Sequence, residues 1–144
     1  MSRLTKVESR ERRRSRARAI QALYAWEMSG STDLARVAGR LFDDLSVSAT
    51  EREQASRLLR RIIADQKQID RQLSELTTNW RLERIGVIER CVLRVAAAEL
   101  LGEDTPPRVV LQEAVSLAER FGSPESARFV NGIVDSMARA MGRI

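Results

Sequence analysis

Along most of the chain apolar positions recur at steps of three and four, the spacing that lines one face of an α-helix. Ala17, Ile20, Leu23, Tyr24 and Met28 form the first such stripe, and it predicts a helix whose apolar face needs a partner. The run Ser-Gly-Ser-Thr-Asp breaks it, with Gly30 suited to the left-handed residue past a helix end. A second helix is expected from near Asp33, because Leu34, Val37, Ala38, Leu41, Phe42 and Leu45 hold the helical period. Ser46 to Thr50 makes the next break, and either Ser48 with Glu51 or Thr50 with Glu53 could form a capping box at the following helix start. Ala55, Leu58, Leu59, Ile62, Ile63, Ile69, Leu73 and Leu76 then run down one side of a long third helix.

Thr77, Thr78 and Asn79 interrupt that pattern, and Trp80 opens the most hydrophobic segment of the chain. Leu82, Ile85, Val87, Ile88, Val92, Leu93, Val95, Ala96, Leu100 and Leu101 fall on more than one side of a helix, which predicts a central helix contacted by several neighbours. Gly102 and Thr-Pro-Pro end it. Pro107 suits the first turn of the next helix, where a missing amide costs nothing, and Val110, Ala114, Leu117, Ala118 and Phe121 supply its inward stripe. Ser123 then caps a last helix, with Pro124 at its first position and Glu125 near the positive end of the dipole. Asn131-Gly132 would signal a hairpin between alternating strands, yet Val130, Ile133, Val134, Met137 and Met141 keep helical spacing across it. The period is the stronger signal. The sum is an all-α fold, a compact bundle of six to seven helices.

Charge changes this picture at one end. The chain has 144 residues and a formal net charge of +5, but residues 1 to 20 alone carry eight Lys or Arg against Glu8 and Glu11. Arg10, Arg12, Arg13, Arg14, Arg16 and Arg18 lead straight into the first apolar stripe. Desolvating so many guanidiniums is costly, so this stretch is expected to be a cationic arm, residues 1–18, that stays in water or meets an anion. Arg13 and Arg16 alike are expected outside the core. Arginine outnumbers lysine 23 to two, and its planar fork suits bidentate phosphate contacts and base stacking. The localised charge reads as an electrostatic footprint for a polyanion.

Catalysis is not expected. The chain has no histidine, and it shows neither a metal-ligand cluster, nor a Gly-rich phosphate loop, nor a nucleophile set beside a base. Cofactors are expected to be none. Cys91 is the only cysteine, set among Val92, Leu93 and Val95 as an inert buried thiol, which fits a reducing cytoplasm. No apolar run reaches the roughly 18 residues needed to cross a bilayer, so no membrane partner is expected.

Several segments together resemble the bacterial NusB family of transcription antitermination factors. The arginine-rich start leads into Ala-Ile-Gln-Ala-Leu-Tyr; Trp80 with Arg84 follows, then Val92-Leu93-Arg94-Val-Ala with Glu99-Leu100, and Glu113-Ala114 with Leu117-Ala118. The most specific piece is Glu-Ser-Ala-Arg-Phe-Val-Asn-Gly-Ile-Val-Asp from Glu125 to Asp135. Gln112 stands where the family usually has asparagine. The resemblance implies two small helical subdomains, here residues 19–78 and 79–144. It also implies binding, with the ribosomal protein NusE, to single-stranded boxA RNA of nascent rRNA. Other Nus factors and RNA polymerase would complete the antitermination complex, in the cytoplasm. Carried over by position, Arg12, Arg13, Arg14 and Arg16 would hold the RNA backbone, Tyr24 and Phe129 would stack on bases, and Glu83 and Glu89 would face the partner or RNA.

The residues alone leave other readings open. Tyr24 and Phe129 can be core aromatics, and Glu83 and Glu89 can pair along their helix with Arg84, Arg90 or Arg94. A NusB-like domain also fronts RNA cytosine methyltransferases, but the length of this chain favours a free-standing factor. The remaining rival is a helical protein-interaction module, including a homodimer, or a general RNA-binding module without boxA selectivity.

Overall fold

The computed structural model describes residues 5–77 and 85–144. They form seven α-helices: α1 (Lys6–Ser29), α2 (Leu34–Asp44), α3 (Ala49–Ala64), α4 (Gln66–Leu76), α5 (Val87–Gly102), α6 (Pro107–Phe121) and α7 (Pro124–Ala140). Among the described residues there is no strand. The chain divides into two compact units, Met1–Arg60 and Arg61–Ile144.

In the first unit the expected cationic arm is not a separate element. Thr5 and Glu8 form a capping box, the Thr5 hydroxyl accepting from the Glu8 amide at 3.1 Å and the Glu8 carboxylate accepting from the Thr5 amide at 3.3 Å. From there α1 runs unbroken through the arginines to Ser29, where Gly30 at φ 68 ends it. Arginine is a good helix former and no glycine or proline interrupts residues 6 to 29, so local preference carries the helix through the charges. Ser15, Arg16, Ala17, Ala19, Ile20, Ala22 and Leu23 are buried, whereas Tyr24 and Met28, expected on the inward stripe, are exposed. α1 packs on α2, which starts where expected: Asp33 accepts from the Arg36 amide at 3.0 Å. Leu34, Ala38 and Phe42 are its buried line. Of the two caps open for the next helix, Ser48 is used, its hydroxyl accepting from the Glu51 amide at 3.3 Å.

The long third helix is two. α3 ends at Ala64, Asp65 departs from helical angles at φ −109 and ψ 18, and α4 begins at Gln66. Hydrogen bonds continue through the joint, Asp65 amide to Arg61 carbonyl and Ile69 amide to Asp65 carbonyl, both 2.9 Å, so the break is a kink rather than a loop. Aspartate is a weak helix former that favours such ends. Ile63 is exposed while Ile62, Ile69 and Leu73 are buried.

In the second unit α4 packs on α5 and α7. α5 is the central helix, as expected: every residue from Cys91 to Leu100 is buried, including Arg94 and Glu99, and α4, α6 and α7 all pack against it. Arg94 meets Asp70 of α4 at 3.2 Å, and Glu99 accepts from the Thr105 hydroxyl at 3.1 Å. The Arg143 guanidinium bonds the Leu100 and Thr105 carbonyls, tying the chain after α7 to the end of α5. α6 starts with Pro107 and α7 is capped by Ser123, whose hydroxyl accepts from the Ser126 amide at 3.1 Å. Asn131 and Gly132 lie inside α7 without disturbing it.

Candidate nucleic-acid interface

Because α1 is a helix to its first turn, its arginines are sorted by phase. Arg10, Arg13, Ala17, Gln21, Tyr24 and Met28 follow one another at steps of three and four and share one side. Arg10, Arg13, Tyr24 and Met28 on this line are exposed, and the small, covered Ala17 sits between the guanidiniums and the aromatic ring. Tyr24 is 41% exposed. Cations at one end and an open aromatic face at the other match what a single-stranded nucleic acid offers, phosphates and bases.

The other expected phosphate ligands divide. Arg12 is half-buried and Arg16 is buried, 5% exposed, on the core-facing side. Arg16 therefore belongs to the packing of the first unit, contrary to its expected place outside the core. Part of the anion that the cationic stretch requires is supplied by the protein itself. Glu51, in the first turn of α3, accepts from Arg14 Nε at 3.0 Å, and its other oxygen lies 3.7 Å from Arg18 Nε. Arg18 also donates to Gln21 at 3.2 Å, and the Ser15 hydroxyl bonds Gln54 of α3 at 2.6 Å and the Glu11 carbonyl at 2.7 Å. Glu51 is the functional-region residue that pattern reading passed over. Its one sequence signal is the Ser48-x-x-Glu51 spacing, which marks a helix start but says nothing about arginines 33 to 37 positions away.

The remaining site residues lie in the second unit. Phe129 is half-buried on α7. Glu89, in the first turn of α5, accepts from the Ser126 hydroxyl at 2.7 Å, and Ser126 also lies 3.1 Å from the Ser123 hydroxyl. One of its oxygens thus links the starts of α5 and α7. Glu83, together with Trp80 and Arg84, lies outside the described residues. On the outer side of α7, Arg128, Asn131 and Gly132 are exposed, and a methyl group at Gly132 would meet nothing within 4 Å. Neither close packing nor a positive φ explains that glycine. Among the described residues there is no group of His, Cys, Asp and Glu that could hold a metal ion, and no helix long and apolar enough to cross a membrane.

Known proteins extend these observations. A model of the NusB family matches residues 13–139. The transcription antitermination protein NusB of Sorangium cellulosum is 38% identical over 130 residues, spanning 90% of this chain and 92% of the relative. That of Oleidesulfovibrio alaskensis is 37% identical over 142 residues, spanning 94% and 92%. The solved structure of T. maritima NusB superposes with a TM-score of 0.82 at 36% identity, covering 89% of this chain and 90% of that one. A structure of antitermination factors NusB and NusE in complex with dsRNA superposes with a TM-score of 0.81 at 25% identity, covering 91% and 98%. With a family model spanning the helices from the arginine-rich stretch to the end of α7, and relatives above one-third identity over nine-tenths of the chain, this protein belongs to the NusB family, whose members serve transcription antitermination and are not enzymes.

Proposed function

We propose that this chain is a cytoplasmic antitermination factor that binds the boxA element of nascent rRNA together with NusE, and so joins the other Nus factors on RNA polymerase to keep rRNA transcription processive. The observation that carries the reading is the exposed line on α1, with Arg10 and Arg13 at one end and Tyr24 at the other, flanked by Arg14. Arg13 and Arg14 hold the RNA backbone and Tyr24 stacks on a base; Phe129, on α7, is assigned a base-stacking role of its own. Arg12 is a peripheral contact and Arg16 supports the helix. Glu83 and Glu89 are assigned to the NusE-facing surface, with one oxygen of Glu89 left for a partner after its bond to Ser126.

The α1 line offers charge and one ring, which favours affinity over base discrimination, so selectivity is expected to need NusE. The test is a titration of boxA RNA, a scrambled single strand and an RNA duplex, each with and without NusE and at several salt concentrations. The duplex arm matters because the NusB–NusE structure similar to this chain contains dsRNA. Weak, poorly selective binding alone and tighter boxA-selective binding with NusE is the expected result. Three engaged arginines imply a log-log salt slope of about −2 for a single strand. Salt-independent affinity would remove the α1 line from the mechanism, and equal affinity and selectivity with and without NusE would leave only a general RNA-binding module.

A further inference from the structure

We propose that Glu51 is a positioning residue that aims the guanidinium of Arg14 at an RNA phosphate; the inference rests on the RNA-binding reading above and deepens it. A guanidinium carries five donors in a rigid planar fork, with Nε–H on one edge and the two Nη groups at the end. Glu51 takes the Nε–H of Arg14 at 3.0 Å. With Nε–H taken, the two Nη groups are the donors that remain for a ligand, and the Arg14 side chain is 53% exposed while that of Glu51 is only 12% exposed. Arg14 is anchored at Nε and remains largely exposed; Glu51 is mostly covered and lies beside both Arg14 and, at 3.7 Å, Arg18.

Glu51 is itself held firmly. Its amide bonds the Ser48 hydroxyl at 3.3 Å, and its carboxylate sits in the first turn of α3, where the positive end of the helix dipole favours it. The neighbouring Ser15–Gln54 bond at 2.6 Å joins the same faces of α1 and α3. A long side chain that is already oriented loses less rotamer freedom when a ligand immobilises it. Arg14, held at Nε, is thereby distinguished from Arg10, which is exposed on the first turns of the same helix.

The test uses the full chain and a boxA-sequence single-stranded RNA, with affinity and thermal stability measured for each variant. Glu51→Asp keeps the charge but withdraws the carboxylate by one methylene, and is expected to weaken binding about two- to tenfold, the weight of ordering one long side chain. Glu51→Gln keeps the reach and an acceptor for Arg14 Nε, and is expected to bind at least as well as the wild type. In an Arg14→Ala background Glu51→Asp should add no further loss. Arg14→Lys provides a route that leaves Glu51 untouched: the ammonium keeps the charge but loses the planar fork that presents one edge to the carboxylate and the other donors to the phosphate, so binding should fall below the wild type while staying above Arg14→Ala. Full affinity in Glu51→Asp, full affinity in Arg14→Lys, additive losses in the double variant, or a loss in Glu51→Gln as large as in Glu51→Asp each overturns the positioning role. Absence of RNA binding by the wild-type chain overturns the RNA reading itself, before any variant is compared.

Discussion

Arg16→Ala and Arg13→Ala, three positions apart in the same basic run, should have opposite consequences. Arg16 is 5% exposed, so its truncation deletes a long buried side chain and strands the groups it bonds. Large-to-small changes at buried sites cost about 2–5 kcal/mol, and a value near 3 corresponds to a fall in Tm of roughly 6–12 °C at about 2–4 °C per kcal/mol for a chain of this size. Arg13 is exposed, and a surface truncation of this kind stays within about 0.5 kcal/mol. Its effect should appear in RNA binding instead: losing one neutralised phosphate moves the salt slope from about −2 to about −1.4. Arg16→Ala, assayed well below its melting temperature, should keep the wild-type slope. Thermal melts monitored by circular dichroism and RNA titrations at four or more salt concentrations read both axes. A flattened slope with an unchanged Tm in Arg16→Ala would mean that the residue faces the ligand, and the sorting of the arginines by helical phase would be wrong.

Gly132→Ala should raise stability by up to about 1 kcal/mol, because alanine is the better helix former and its methyl meets no neighbour; a higher Tm with weaker binding to NusE or RNA would identify the bare backbone as a contact surface. Ser126→Ala removes the bond to Glu89 and should cost about 1 kcal/mol, read as a lower Tm; no change would show that this link carries no stability. Glu89→Ala should share that loss and also disturb the joint NusE–RNA complex more than isolated RNA binding, which parallel titrations would separate. Asp70→Asn removes the carboxylate charge beside the buried Arg94 guanidinium while keeping an acceptor, and should cost about 1 kcal/mol, discounted because the Asp70 side chain is 30% exposed; a chemical denaturation curve superimposing on the wild type would refute it.

The amino-acid sequence by itself determined the helices, several of their ends and the family. Gly30, Asp33, Pro107 and Ser123 mark ends whose chemistry is complete within about four residues, since capping bonds reach only that far. The same short range explains why helical spacing across Asn131-Gly132 outweighed the hairpin signal: the preceding and following turns of α7 are apolar at the right steps. The Glu125–Asp135 segment likewise carries the family resemblance in its own order of residues. What the tertiary structure decided is the fate of the charges. Whether an arginine on α1 is solvated, paired or buried depends on which helix faces it, and Arg14 finds Glu51 37 residues away while Ser15 finds Gln54 39 residues away. No local pattern encodes that meeting. Charge therefore does not keep this stretch out of the helix: the chain continues the helix through its arginines, buries Arg16 and supplies Arg14 and Arg18 with an internal carboxylate. The kink at Asp65 and the placement of α4 against α5 and α7 have the same origin, because a period of three and four is satisfied equally by one long helix and by two, and only the surface being covered distinguishes them.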